Sequence, residues 1–278
     1  MKKQITIKKK IEIKGIGLHT GTAVKITFCP SEPDTGIIIK SKAGEFKAEA
    51  GLVFDTKRGT SLKSGGAVLH TAEHMVSAIS GLGIDNIIAE IEGGEEPPAF
   101  DGSSYEYVKV LGKVYPSIQD RDKKELIIKE PVVIKDRDKY LAVLPYKGFK
   151  VHYFSDFSAF GLKPEDARIS IDPYSYSKEI ARARTFGFKH EIDTLIKSGL
   201  IKGASLKNAI LIDNGRPVNT KLRYKDELTR HKILDIVGDF GLLGANLNLL
   251  VIAVRTGHTQ NIEMAKIIKK QSEELNKN

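Results

Sequence analysis

Apolar and polar residues alternate with period two through the opening of the chain. Ile5 and Ile7 come first, then Ile11 and Ile13, then Val24, Ile26 and Phe28. Lysines and a glycine-rich stretch at 15–21 separate these runs, which therefore predict strands. Residues 36–40 and 45–54 continue the strand-rich pattern. From Thr71 the period changes: Ala72, Met75, Ala78, Ile79 and Leu82 recur at three- and four-residue spacing as far as Gly83. That spacing predicts a helix closed by glycine. Residues 86–91 return to strand, and 104–111 predict a second helix.

Residues 116–124 are polar and led by Pro116, and they predict a linker between a first unit, 1–115, and a second, 125–278. The second half restarts as the first began, with strands at 126–129, 132–134, 140–144 and 149–154. A helix follows at 177–184, then a strand at 209–213, a long helix at 227–243, a buried strand at 249–254 and a terminal helix at 260–275. In each half a helix begins near a histidine that has a glycine seven positions on, His74 with Gly81 and His231 with Gly238. Duplication explains that spacing, and so does chance. Either way the pattern predicts an α+β fold of two similar sheet-and-helix layered halves facing each other across a cleft.

Composition narrows the function classes. In 278 residues, 41% hydrophobic and 28% charged, there is too much apolar material for a disordered chain. Apolar runs such as 247–254 fall far short of the roughly 20 residues that a spanning helix needs. The basic residues at the start interleave with isoleucines and lack the apolar core of a secretory signal. A single cysteine, Cys29, excludes an internal disulfide framework and any cysteine-rich zinc site, and points to a reduced, cytoplasmic setting. The 44 Lys and Arg against 35 Asp and Glu leave +9, which favours an anionic partner: nucleic acid, a phosphorylated metabolite or an acidic membrane surface. Only 7% of residues are aromatic, tryptophan is absent and no RNP, KH or zinc-finger pattern occurs, which weighs against nucleic acid.

Candidate chemistry clusters in three places. On the helix at 227–243, His231, Asp235 and Asp239 fall on one stripe at i, i+4 and i+8, with Ile233, Leu234, Ile236, Val237 and Phe240 on the opposite arc. Histidine and aspartate one turn apart suit a single divalent metal; a solvated polar face with a helical charge pair has the same spacing. His70, Glu73 and His74 resemble half of the H-E-x-x-H zinc pattern, but here the glutamate precedes the second histidine. A carboxylate next in sequence to a ligand histidine is placed for a general base. His70 reads as a loop histidine, and His74 alone fits a core edge as well as a ligand. His258 lies between a buried strand and the last helix, where residues commonly face clefts. The helix N-terminus would lower its pKa, so an imidazolium there needs a carboxylate, and Asp239 is the candidate. The stretch GIGLHTG at 15–21 fits neither phosphate-loop spacing and reads as a hairpin turn.

Taken together, the segments GIGLHTG (15–21), TAEHM (71–75), GLGIDN (81–86), PAFDGS (98–103), ARTFGF (183–188), LRYKDE (222–227), RHKILDIVGD (230–239) and GHTQN (257–261) resemble one family. It is the zinc-dependent UDP-3-O-acyl-N-acetylglucosamine deacetylases of lipid A biosynthesis. The resemblance extends over essentially the whole chain. It implies a metal held by His74, His231 and Asp235, zinc or alternatively ferrous iron, with Glu73 as general base. It implies His258 as general acid with Asp239 orienting or charging it, and Thr185 assisting at the oxyanion. Lys232 and Arg255 would meet the diphosphate of UDP-3-O-acyl-N-acetylglucosamine, and Phe186 and Phe188 would pack on the sugar or acyl region. His70 has no counterpart in the pattern. The implied fold is two α+β domains with the site between them and a β-α-β insert, here at about 187–216, forming an acyl passage from Ile192, Leu195, Ile196, Leu200 and Ile201. SDFSAFG at 155–161 departs from the family by lacking His-Pro. A cytoplasmic monomer with no nucleic-acid partner and at most peripheral membrane contact is implied.

Overall fold

The computed structural model describes residues 2–275. Two five-stranded sheets carry most of the alternating segments. In spatial order the first runs Ile11–Ile16, Ala23–Pro30, Ile87–Glu92, Ile37–Ser41, Gly44–Lys47. The second runs Val132–Asp136, Lys139–Pro145, Leu249–Val254, Phe149–Ser155, Glu165–Ile171. Both share one topology. A central strand sits between two antiparallel hairpins, antiparallel to one neighbour and parallel to the other. The likeness hinted at by the His-to-Gly spacing is thus present in strand order. In Ala23–Pro30 the alternation buries Val24, Ile26 and Phe28, and register sets Ile26 against Ile91 and Phe28 against Ala89.

Helices α1 (Glu73–Gly81) and α2 (Tyr105–Gly112) belong to the first half; α3 (Pro173–Ser175), α4 (Ile192–Lys197), α5 (Glu227–Gly241) and α6 (His258–Leu275) belong to the second. Packing of α1 on α5 joins the halves. Ser77 Oγ donates to the Leu234 carbonyl at 2.8 Å. Gly238 stands so close to the start of α1 that a Cβ on it would collide with the Glu73 carbonyl oxygen. Only glycine permits that approach, and the approach brings the first turn of α1 to the middle of α5.

Departures from the periodic expectation occur where pairing partners are remote or edges are polar. Residues 116–124, expected as a linker, contain the strand Ser117–Asp122, paired antiparallel with Lys3–Thr6. Its side chains are half-buried or exposed, so its alternation carries little apolar signal. The stretch 45–54 is not one strand. A 3₁₀ turn at Ala50–Leu52 breaks it, and Val53–Asp55 opens a small sheet with Ser61–Ser64 and Ala67–Leu69. The helix expected at 177–184 begins earlier, at α3. There the Asp172 carboxylate accepts from the Tyr174 and Ser175 N–H groups, and the chain continues as a π-helical turn, Tyr176–Ile180.

Between Gly187 and Arg216 the chain builds a small unit of its own. Phe186–Phe188 runs parallel to Ile210–Asp213 with α4 in the crossover, and Arg216–Pro217 adds an antiparallel edge. None of Ile192, Leu195, Ile196, Leu200 and Ile201 is buried, and Ile196 is 59% exposed, so these side chains do not belong to the core. No described helix is long and apolar enough to cross a membrane.

Candidate active site

His231, Asp235 and Asp239 line one stripe of α5, but the stripe is not a solvated face: their exposures are 3%, 2% and 0%. The first turn of α1 brings Glu73 and His74 to it. His74 Nε2 lies 4.0 Å and His231 Nε2 3.5 Å from Asp235 Oδ1, and the two imidazoles meet edge to face at 5.1 Å. His231 Nδ1–H donates to the Ala183 carbonyl at 3.1 Å, which fixes the tautomer and leaves Nε2 facing the carboxylate.

Burial drives the His74 imidazole down to about 3, with neighbouring His231 adding to the effect. Burial also lowers His231, against the pull of Asp235. Both rings are therefore neutral at pH 7, with lone pairs to give. Burial opposes ionisation of Asp235, yet Lys232 and then the surrounding histidines hold its carboxyl well below the usual range. Lys232 Nζ takes Asp235 Oδ2 at 2.5 Å. Oδ1 is buried with no hydrogen-bond partner among the described residues. An unpartnered buried carboxylate oxygen is costly, and here it faces two imidazole nitrogens within a cluster whose ligand atoms lie within 4.8 Å of one another. Two neutral imidazoles and a carboxylate suit a divalent cation of the zinc or ferrous type. The donor set fits such an ion.

Beside this cluster sit His258 and Glu73. His258, at the start of α6, directs Nδ1 to Asp239 Oδ2 at 2.9 Å, and its Nε2 lies 3.9 Å from both Glu73 Oε1 and Asp235 Oδ2. Burial disfavours its charge, but the carboxylates, Asp239 first, outweigh burial and raise it to about 9. The carboxylate that the helix N-terminus called for is thus the one facing it. Glu73 is pushed up to about 7 by burial, against the attraction of His258. Its Oε2 accepts from the Thr60 N–H at 2.8 Å. The Thr60 hydroxyl donates to Asp239 Oδ1 at 2.5 Å, and Asn261 Nδ2 donates to Asp239 Oδ2 at 2.9 Å.

A cleft of about 600 Å³ opens over these groups and is also lined by Thr185, Phe186, Phe188, Lys232 and Arg255. Thr185 is half-buried, its backbone fixed by Gly102 and Ile210. Phe186 meets the His231 ring edge to face at 6.0 Å, and Phe188 stacks on Phe160 at 4.1 Å. Arg255 is paired with Asp138 at 2.9 Å. Phe157 and Phe160, from the divergent 155–161 stretch, line the same cleft. A larger cavity, about 750 Å³, lies elsewhere, beneath the C-terminal ends of α1 and α5, and gathers none of the predicted site residues. His70 stands apart, bonded to Ser61.

Two buried polar residues near the site were not legible in the sequence. Thr60 joins groups 13 and 179 positions away and carries no local signal. Glu96, fully buried, accepts from the His19 and Thr20 N–H groups and from the Thr20 and Thr71 hydroxyls. GIGLHTG is therefore a loop wrapped around a carboxylate of its own chain. The signal available was Glu96 itself, an acid set between glycines and prolines.

With this geometry in view, residues 4–270 match the family model for UDP-3-O-acyl N-acetylglycosamine deacetylase. The chain belongs to that family. A UDP-3-O-acyl-N-acetylglucosamine deacetylase of Teredinibacter turnerae is 41% identical over 280 residues, covering 98% of this chain and 92% of the relative. Another, of Saccharophagus degradans, is 40% identical over 279 residues with the same coverage. Membership of this deacetylase family thus extends over nearly the whole length, both halves of the site included.

Proposed function

We propose that this chain hydrolyses the N-acetyl group of UDP-3-O-acyl-N-acetylglucosamine, releasing acetate, in lipid A biosynthesis. His74, His231 and Asp235 hold the metal, zinc in this reading and ferrous iron as the alternative. The enzyme works as a cytoplasmic monomer with at most peripheral membrane contact and no nucleic-acid partner. The observation that carries the proposal is the bare Asp235 oxygen facing two neutral imidazoles beside the Glu73 and His258 pair, in a chain of a deacetylase family.

When bound, the cation supplies Lewis acidity to the attacking water and the amide carbonyl. The protein's own groups handle protons and position. Glu73 Oε1, left free by the hold of Thr60 on Oε2, takes the proton of the water as its oxygen bonds to the carbonyl carbon. The Thr185 hydroxyl donates to the oxyanion that develops. The carbon–nitrogen bond then breaks, and charged His258 gives its Nε2 proton to the departing amine. Acetate and the free amino sugar leave. Each proton transfer is worth about 10²–10⁴-fold. Asp239 keeps His258 charged and oriented. Lys232 and Arg255 supply positive charge for the diphosphate, Phe186 and Phe188 pack on the sugar or acyl region, and the partly exposed aliphatic residues of 187–216 offer the acyl chain a passage.

Acetate release from the acylated UDP-sugar, compared with the sugar lacking the acyl chain, tests the proposal. Metal-stripped protein should be inactive and should recover as zinc is titrated to about one per chain. Glu73→Ala and His258→Ala should each lose about 10²-fold or more in kcat while retaining the metal. Failure of the loaded protein to release acetate from the acylated substrate would defeat the proposal.

A further inference from the structure

We propose that Thr60 is a positioning residue that locks the acid and the base of this site to each other across the two halves of the molecule. The inference rests on the roles given above to Glu73 and His258. Thr60 precedes the strand Ser61–Ser64 in the first half and is 1% exposed. Its three polar groups are all committed. The N–H donates to Glu73 Oε2 at 2.8 Å, the carbonyl accepts from the Ala72 N–H at 2.9 Å, and the hydroxyl donates to Asp239 Oδ1 at 2.5 Å. One residue thus fixes the carboxylate of the base, the backbone just ahead of the base and the partner of the acid.

The hydroxyl also determines which imidazole nitrogen works. Thr60 Oγ1 lies 3.3 Å from His258 Nδ1, and Asp239 Oδ2 lies 2.9 Å from the same nitrogen. A hydroxyl has one proton, and here it goes to Asp239 at the shorter distance. Two acceptors then face Nδ1, so Nδ1 carries the hydrogen and Nε2 is left to exchange a proton in the cleft. Without the hydroxyl, Asp239 Oδ1 would be a buried acceptor without a partner. The carboxylate would be free to turn, and His258 with it.

Thr60→Val removes the hydroxyl while keeping the branched shape and the N–H to Glu73; Thr60→Ser keeps the hydroxyl. With the zinc-loaded protein and the acylated UDP-sugar, Thr60→Val should lower kcat by about tenfold or more and leave KM within about twofold. Thr60→Ser should stay within about threefold of the wild type. On a His258→Ala background, Thr60→Val should change kcat by less than about twofold, because the hydroxyl acts through the imidazole. A merely structural role would cost the same in both backgrounds. Thermal midpoints and metal content monitor folding; if Thr60→Val does not fold, Thr60→Ala replaces it in both backgrounds with the same expectations. A single-variant kcat within twofold of the wild type, or an equal loss with and without His258, would overturn the role of Thr60 while leaving the proposed function standing. A wild-type protein with no turnover would overturn both.

Discussion

Asp235 gives one oxygen to Lys232 and leaves the other bare inside the protein, with no hydrogen-bond partner among the described residues. The rest of the site follows the same economy, each titratable atom facing either a fixed partner or the cleft. This makes the pH dependence of turnover specific. In the proposed mechanism His258 must be protonated to give a proton, and it is raised to about 9 with Asp239 as the strongest attraction, so kcat/KM should fall as pH climbs through about 9. Asp239→Asn removes that attraction and should move the fall to lower pH, toward the ordinary histidine value of about 6.5. On the acid side the proposed base, Glu73, must be ionised. Burial holds it up to about 7, and a cation nearby pulls it down, so the acid limb of the loaded enzyme should lie below 7. A pH–rate profile of the two proteins checks both limbs, and an unmoved alkaline limb in Asp239→Asn would remove Asp239 from its assigned role. The stripe of His231, Asp235 and Asp239 was legible because a helix turns at a fixed angle. Thr60 was not, since its importance lies in bonds to residues far along the chain.

Among the elements, α1 and α5 decide the geometry, and Gly238 decides how closely they meet. Gly238→Ala drives a Cβ against the backbone of Glu73, the catalytic candidate itself. It should cost about 1–3 kcal/mol in stability, measured by urea unfolding, together with a loss of kcat disproportionate to the loss of fold. An alanine variant of unchanged stability and activity would mean that the helices are not so tightly held. The segments quoted for the family likeness also find their reasons here. Arg184 donates from its backbone and guanidinium to buried Glu227, and Arg223 reaches across to Asp101 at 2.7 Å, so ARTFGF, LRYKDE and PAFDGS are tied to one another. Sequence periodicity found the strands and helices that bury one clear face, such as Ala23–Pro30 and α5. It missed Glu165–Ile171, where charged residues surround buried Ala167 and Ile169, and Ser117–Asp122, whose pairing with Lys3–Thr6 is long-range.

Across the whole molecule, the candidate site is assembled where the halves meet: Glu73 and His74 come from one, His231, Asp235, Asp239 and His258 from the other. The repeated sheet topology was legible only as an echo, because strand order depends on pairings between distant segments. The family likeness, in contrast, rested on residues whose order along the chain is itself informative. A net charge of +9 acts over the whole surface. If the substrate is the anionic UDP-sugar, KM should rise with ionic strength while kcat changes little, because screening weakens attraction without touching the chemistry. A KM indifferent to salt would argue that charge plays no part in capture.

Anomalous diffraction at the zinc edge from crystals of the zinc-loaded protein locates the cation. The expected map has one strong peak, bound by His74 Nε2, His231 Nε2 and a carboxylate oxygen of Asp235. A peak elsewhere, with those three side chains left without metal, would mean that His74, His231 and Asp235 do not form the metal site.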